Sequence, residues 1–253
     1  MRLLKTIALS FSMFSTIPMP KVEWSEENMR YMLCSFSLVG VVIGASWLLL
    51  DFCFSYFGLE KSALRAALLV LLPVLLSGGI HMDGFCDTAD ALSSHADREK
   101  KLAILKDSHC GAFAVIYAIM YFLVYFACLL DMGKIEFPLC AVFVLERLLS
   151  ALSVATFPLA KSSGLVHTFA TASAKKRVAF VTAFLFVLLS SLLIEFFALK
   201  GFVVVLTCLL TFLLYYIFAK KEFGGITGDI SGSFLQSCEL ATIVVFCITK
   251  SLL

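Results

Sequence analysis

The chain has 253 residues, of which 61% are hydrophobic and only 15% charged, and its mean hydropathy is +0.99. A water-soluble domain carries about a quarter charged residues, so this composition points instead to an all-α, polytopic integral membrane protein. The net charge of +2 gives no argument for nucleic acid. The nine cysteines include no C-x-x-C pair and mostly sit inside apolar runs, which argues against a disulfide framework or a zinc site.

Met1 to Pro20 carries Arg2 and Lys5 ahead of a modest apolar run, with Pro18 and Pro20 where a signal peptide would need small residues for cleavage. The segment is expected to stay uncleaved and to be interfacial or re-entrant. A crossing takes about 20 apolar residues. On that measure the sequence predicts about seven spans (range six to eight), near 33–57, 62–80, 110–131, 137–160, 178–199, 201–219 and 234–253. The first holds Gly40 and Gly44, a small-xxx-small pair that either permits close helix contact or is there by chance. Little more than Lys200-Gly201 separates the fifth from the sixth, which predicts a tight helical hairpin.

With the N-terminus placed in the cytoplasm, the inside segments hold 14 lysines and arginines and the outside segments four, namely Lys61, Lys134, Lys200 and Lys250. That bias is what the positive-inside rule describes. No repeat, low-complexity tract or soluble domain interrupts the chain, so 1–253 reads as a single membrane domain. Two cytoplasmic segments, 81–109 and 220–233, are the chemically rich ones.

The first opens with His81-Met82-Asp83-Gly84-Phe85-Cys86-Asp87-Thr88-Ala89-Asp90. Asp83, Asp87 and Asp90 are spaced four and three apart, so on a helix they share one face. Like charges so placed repel one another, and a divalent cation would reward the arrangement. Mg²⁺ is typically held by one or two carboxylates plus phosphate oxygens, which makes the three aspartates the expected metal ligands and catalytic groups. His81 could be a ligand, a phosphate hydrogen-bond donor or an interfacial side chain. Asp97, just before Arg98-Glu99-Lys100-Lys101, reads as a helix N-cap.

Lys106-Asp107-Ser108-His109-Cys110-Gly111 precedes the third span. A lysine, an aspartate and a serine at a helix start suit a phosphate or a metal, against the plainer reading of capping. In the second segment, Gly224-Gly225-Ile226-Thr227-Gly228-Asp229 is a glycine-rich loop whose backbone N–H groups could approach a phosphate, with Thr227 beside it. Asp229 could complete one site with the acidic cluster. Glu146 and Arg147 lie inside the fourth span, where charges are costly; either they form an ion pair or Arg147 reaches a substrate phosphate. No Ser-His-Asp arrangement or Walker-type loop is present. The chemistry that matches these residues is phosphoryl transfer, with carboxylate-bound Mg²⁺ neutralising a diphosphate.

The string Gly78-Gly79-Ile80-His81-Met82-Asp83-Gly84-Phe85-Cys86-Asp87-Thr88-Ala89-Asp90 resembles the cobalamin synthase family, the adenosylcobinamide-GDP ribazoletransferases. Lys106-Asp107-Ser108-x-x-Gly111, Gly225-Ile226-Thr227-Gly228-Asp229 and, more weakly, Phe14-Ser15-Thr16-Ile17-Pro18-Met19-Pro20 extend the likeness across almost the whole chain in the same order. Ala91 and Ala114 stand where the family usually has glycine, Thr16 and His109 where it often has arginine.

The resemblance implies an inner-membrane enzyme that joins adenosylcobinamide-GDP to α-ribazole, or its 5′-phosphate, and releases GMP with Mg²⁺. On that reading Asp83, Asp87 and Asp90 hold the metal, while Asp107 and Asp229 complete its shell or act as base. His81, Lys106, Ser108, Arg147 and Thr227 are the candidates for substrate contact. The implied partners are the two substrates and the bilayer, and self-association is compatible with the sequence. Two other readings compete. A CDP-alcohol phosphotransferase of lipid synthesis also uses spaced aspartates, but its D-G-x-x-A-R pattern is not satisfied here. A divalent-cation transporter would place its acids mid-span and paired across repeats.

Overall fold

The computed structural model describes residues 2–252, and its regular elements are all helical. In chain order they are α1 (Arg2–Phe14), α2 (Glu26–Met29), α3 (Met32–Tyr56), α4 (Ala63–Leu76), α5 (Ile80–Ser93), α6 (Arg98–Ile104), α7 (Ala112–Met132), α8 (Phe137–Cys140), α9 (Val142–Thr156), α10 (Leu165–Ala172), α11 (Lys175–Phe218) and α12 (Gly228–Leu252). A π-helical turn, Ala219–Phe223, ends α11. Met1 and Leu253, at the edges of the expected first segment and last span, lie outside the described residues.

Five helical stretches are long and apolar enough to cross a bilayer: Met32–Tyr56, Ala112–Met132, Phe137–Thr156, Lys175–Phe223 and Gly228–Leu252. The pair α4 and α5 makes a sixth if taken as one broken span, for the two meet at 93°. This corrects the expected span 62–80. Its helix stops at Leu76 after 14 residues, about 21 Å, and the chain turns through Gly78 and Gly79, both at positive φ. Apolarity continues across the corner, so hydropathy alone runs the two together. The expected hairpin is marked by a break inside α11 at Ala198, with φ 45° and ψ −121°. The count of seven takes the expected 178–199 and 201–219, both within this one helix, as separate crossings, whereas length and apolarity give five spans, or six with the broken pair. At 13 residues α1 is too short to cross and lays Leu9, Phe11 and Phe14 into the core while Leu3 and Leu4 stay exposed.

The bundle is organised round the α8–α9 stretch, in which 83% of the apolar window is buried. α3 reaches it closely because Gly40 and Gly44 sit on the carbonyls of Phe143 and Cys140, where a Cβ would overlap backbone atoms. The small-xxx-small pair is therefore a contact device within this chain. The outward faces carry Leu49, Phe52, Leu123, Val187, Leu213 and Leu214, all exposed, the surface that lipid rather than water would solvate.

At the end remote from α5, buried Asp51 pairs with buried Arg65 and also accepts from the Ile135 N–H at 3.1 Å. Arg65 in turn donates to the carbonyls of Leu129 and Gly133, so one ion pair ties α3, α4 and the end of α7 together. Glu136 at the same end pairs with Lys200 at 2.6 Å and Lys250 at 3.7 Å.

Candidate active site

The acidic segment is helical throughout α5, so Asp83, Asp87 and Asp90 do share one face. α5 packs antiparallel against the start of α12, and two glycines set the spacing. A Cβ on Gly84 would lie 2.7 Å from the Asp229 carbonyl oxygen, and one on Gly232 would lie 3.1 Å from His81 Cα. The segment leading into α12 is in turn pinned to the loop after α9: Ile226 N–H donates to Pro158 O at 2.9 Å and Ala160 N–H donates to Ile226 O at 3.0 Å. Asp229 is thereby carried beside the α5 acids, and the charges of Asp83, Asp229 and Asp90 all bear on Asp87.

The carboxylates are not equivalent. Asp90 accepts from Gly111 N–H at 2.7 Å and from Ala114 N–H at 2.8 Å, one bond to each oxygen. It thus caps α7, whose own N-cap residue, Gly111, has no side chain to do so. Asp90, expected from its spacing to be a metal ligand, is thus rewarded structurally by these two N–H groups. Among the described residues Asp83 and Asp87 have no such compensation. Among the described residues no three His, Cys, Asp or Glu side chains come together so as to hold a metal ion by themselves.

Two adjoining cavities meet at Asp229. One, of about 230 Å³, is the more polar of the two, with Lys106, Lys161, His167 and Thr227 set among apolar residues. The other, of about 330 Å³, is apolar and aromatic, with His81 in its wall and Asp83 beside it. Leu165 and Val166 of α10 border both cavities. Burial pushes the Lys161 ammonium below the ordinary lysine range; the Asp229 charge opposes that shift and Lys106 adds to it.

The remaining expected residues divide. Lys106 lines the polar cavity. Thr227 lines it too, but its hydroxyl is also used by the fold: it donates to Asp229 Oδ2 at 3.2 Å and accepts from Ile230 N–H at 3.3 Å, capping α12. Asp107 and Ser108 lie exposed on the loop before α7. Asp107 accepts from the His109 backbone N–H at 3.0 Å and lies 2.6 Å from the His109 ring Nδ1. Those bonds hold its carboxyl below the usual carboxylate range. It is not among the acids whose charge bears on Asp87.

Arg147 is a correction. It is 1% exposed, donates to Glu146 Oε1 at 2.6 Å and to Phe143 O at 2.9 Å, and lies over the Phe36 ring. The ion-pair alternative holds because a guanidinium this deep needs a resident counter-charge, and Arg147 lines neither cavity. Asp97 caps α6, accepting from Lys100 N–H at 2.9 Å, as the sequence indicates. Sequence reasoning missed Lys161, counted only as an orientation charge, and the aromatic residues Phe14, Phe36 and Phe169, which look like any other apolar residues in a chain with 25 phenylalanines.

The structure is that of a polytopic helical membrane protein, with acids beside a lysine-lined cavity at one end. The chain belongs to the cobalamin-5-phosphate synthase family, whose profile matches residues 6–247. It is 43% identical to the adenosylcobinamide-GDP ribazoletransferase of Lachnoclostridium phytofermentans, over 95% of this chain and 92% of that one. It is 32% identical to the enzyme of the same name from Clostridium botulinum strain Alaska E43, over 97% and 98%. A third such relative, from Desulfitobacterium hafniense, is 32% identical over 92% of each chain. No solved structure matches the chain.

Proposed function

We propose that this protein joins adenosylcobinamide-GDP to α-ribazole or its 5′-phosphate and releases GMP, at the cytoplasmic face of a prokaryotic inner membrane and with Mg²⁺. The observation that carries the reading is the meeting of Asp83, Asp87 and Asp229 on two helices beside the Lys106–Lys161 cavity. Asp83 and Asp87, without cationic partners among the described residues and next to lysines and open space, fit a divalent ion whose coordination is completed by substrate phosphates rather than by a closed protein cage. Asp83 and Asp87 would hold it, with Asp229 completing the shell. When bound, the ion supplies charge neutralisation on the diphosphate and on the leaving phosphate.

The protein's own groups do the rest. Lys106 and Lys161 attract and orient the diphosphate. The 3′-hydroxyl oxygen of the ribazole attacks the phosphorus attached to the cobinamide arm, the bond from that phosphorus to the bridging oxygen breaks, and GMP leaves. An aspartate at the seam, Asp229 or Asp83, accepts the hydroxyl proton. Asp90 serves by holding α7 against α5.

The test is GMP release by purified protein in detergent or liposomes from adenosylcobinamide-GDP with and without α-ribazole. GMP should form only with both substrates and Mg²⁺, stop on chelation, and be lost in Asp83→Asn while the variant remains membrane-inserted. Turnover near the native rate in Asp83→Asn would overturn the assignment.

A further inference from the structure

The side of the bundle between α3 and α11 carries a charged pocket above an apolar groove. The pocket, of about 540 Å³, is lined by Arg30, Lys175, Lys176 and Arg177 together with Thr171 and Ser173, and no carboxylate contributes to its lining. Among the described residues none of the four cations forms a salt bridge. The two arginines are held in place by one tyrosine. Arg177 Nη1 donates to Tyr31 OH at 2.9 Å, and the Arg30 guanidinium lies 5.9 Å from the centre of the same ring. Ala174 N–H also donates to Arg30 O at 3.1 Å, which fixes the start of α11 to the start of α3. Four like charges gathered round one pocket repel each other, and an anion would offset that.

The surroundings say which anion. α3 and α11 both begin at this pocket, and both are long and apolar enough to cross a bilayer. Between them, with α9 as its floor, runs a second cavity of about 490 Å³ whose lining is apolar apart from Ser37. Arg177, Val181, Leu185, Leu188 and Leu192 follow one another at helical spacing, so a single stripe of α11 leads from the pocket into the groove. Leu185 lies about 15 Å along α11 from Lys175, and Leu38 about 9 Å along α3 from Met32. Half the thickness of a bilayer with its headgroups is about 20 Å. An acyl chain hanging from a phosphate in the pocket therefore passes Leu38, Val41, Leu185 and Leu188 in the upper groove. Tyr31 stands at the level where interfacial aromatics anchor spans. A soluble anion has no use for the groove, and a zwitterionic lipid would bring its own cation against the four.

We propose that the two cavities together bind one anionic phospholipid, its phosphate and headgroup among Arg30, Lys175, Lys176 and Arg177 and one acyl chain in the groove between α3 and α11. This goes beyond the transferase reading and does not depend on it. Ala170 and Thr171 of α10 wall the pocket, so the headgroup lies against the same short helix that borders both cavities of the candidate active site. A basic cluster beside a span favours anionic lipid by about fivefold for each cation near the surface.

The experiment is native mass spectrometry of the full chain in detergent micelles doped with equal amounts of phosphatidylglycerol and phosphatidylcholine, with thermal unfolding checked for every variant. The native protein should retain one phosphatidylglycerol in preference to phosphatidylcholine by at least about tenfold. Arg30→Gln/Lys175→Gln/Lys176→Gln, which spares the bond from Arg177 to Tyr31, should bring that preference to within about threefold. Val41→Trp fills the upper groove and leaves the charges untouched; it should lower retention of phosphatidylglycerol at least about fivefold, and Leu188→Trp on the facing wall should match it. Both of these side chains are exposed, so the substitutions do not disturb the core. Millimolar inorganic phosphate should not displace the lipid. The proposal is overturned if the native protein shows no preference, if the triple variant keeps it, or if both groove variants retain phosphatidylglycerol normally. Displacement by inorganic phosphate would mark a site for a soluble anion instead. A groove variant that turns a dimer into a monomer with lipid retention unchanged would make the groove a contact between copies, and either result also overturns the proposal.

Discussion

The contact between Gly84 and Asp229 sets the geometry of the proposed site, and it can be perturbed by one methyl group. In Gly84→Ala the new Cβ would lie 2.7 Å from the Asp229 carbonyl oxygen and 2.8 Å from its Cα. Ordinary contact begins near 3.4 Å, and both partners are backbone atoms that cannot rotate away, so α5 and α12 must part by about 0.7 Å. Overpacking of this kind costs about 1–3 kcal/mol. The effect on catalysis should be larger than the effect on stability, because misplacing reacting groups by about 1 Å can cost about 100-fold, and the displaced groups are Asp83 and Asp87 relative to Asp229. Gly232→Ala supplies a graded control: its Cβ would lie 3.1 Å from His81 Cα, which asks for only about 0.3 Å on the same scale. Gly84→Ala should therefore lower the rate of GMP release by at least about tenfold and weaken the apparent Mg²⁺ affinity, with Gly232→Ala milder in both. The assay is chromatographic GMP detection at saturating substrates over a Mg²⁺ series, with thermal unfolding measured in parallel. Native rates in Gly84→Ala, or a larger loss in Gly232→Ala, would refute the argument.

Asp90→Ala removes both acceptors at the start of α7 and should destabilise the protein by about 0.5–2 kcal/mol; amide exchange should rise first at residues 111–115, and unchanged protection there would remove the capping role. Arg65→Met strands the buried Asp51 carboxylate and should cost about 3–5 kcal/mol in thermal unfolding, yet leave KM for both substrates unaltered because the pair lies at the opposite end of the bundle. Lys161 loses its proton below the ordinary lysine range because it is buried, so its contribution to phosphate binding should fall as pH rises through that lowered value. Lys161→Arg, which stays charged, should shift the alkaline limb of kcat/KM to higher pH, and an unmoved limb would show that Lys161 does not bear on binding.

How far the sequence reaches depends on the kind of signal involved. Apolar runs report where helices are, because burial in lipid or protein demands them, and the all-helical architecture follows directly. They do not report corners: the turn at Gly78-Gly79 and the break at Ala198 leave hydropathy unchanged, so the run at 62–80 reads as straight. Spacing of four and three places the aspartates on one face but cannot say which face meets what. Asp90 faces a helix terminus 21 residues away, a partner chosen by tertiary packing. The pairing of Asp229 with α5 needed two glycines whose role shows only when the helices touch. Arg147 is ambiguous for a related reason, since a charge within an apolar run can be met by a neighbour or by a ligand, and only the packing shows that Glu146 meets it.

The two ends of the bundle treat their carboxylates in opposite ways, and the contrast explains where chemistry can occur. Asp51 is buried with an arginine and a backbone N–H, so its charge is already neutralised and has nothing left to offer a ligand. Glu136 is satisfied by two lysines. At the other end, Asp83 and Asp87 face further negative charge, while the nearby lysines line the adjoining cavity. Folding pushes charges of one sign together there, and the cost must be met by the stability of the remainder. The braced end and the closely packed α3–α9 seam are where that stability resides. A catalytic end drawn from the less stable part of a fold is a general expectation, and here it has a definite basis: unpaired acids, a loop pinned by two backbone hydrogen bonds, and a short α10 bordering both cavities. Binding of the diphosphate and its cation would relieve the repulsion directly, so substrates should stabilise the cleft more than any single contact in it does.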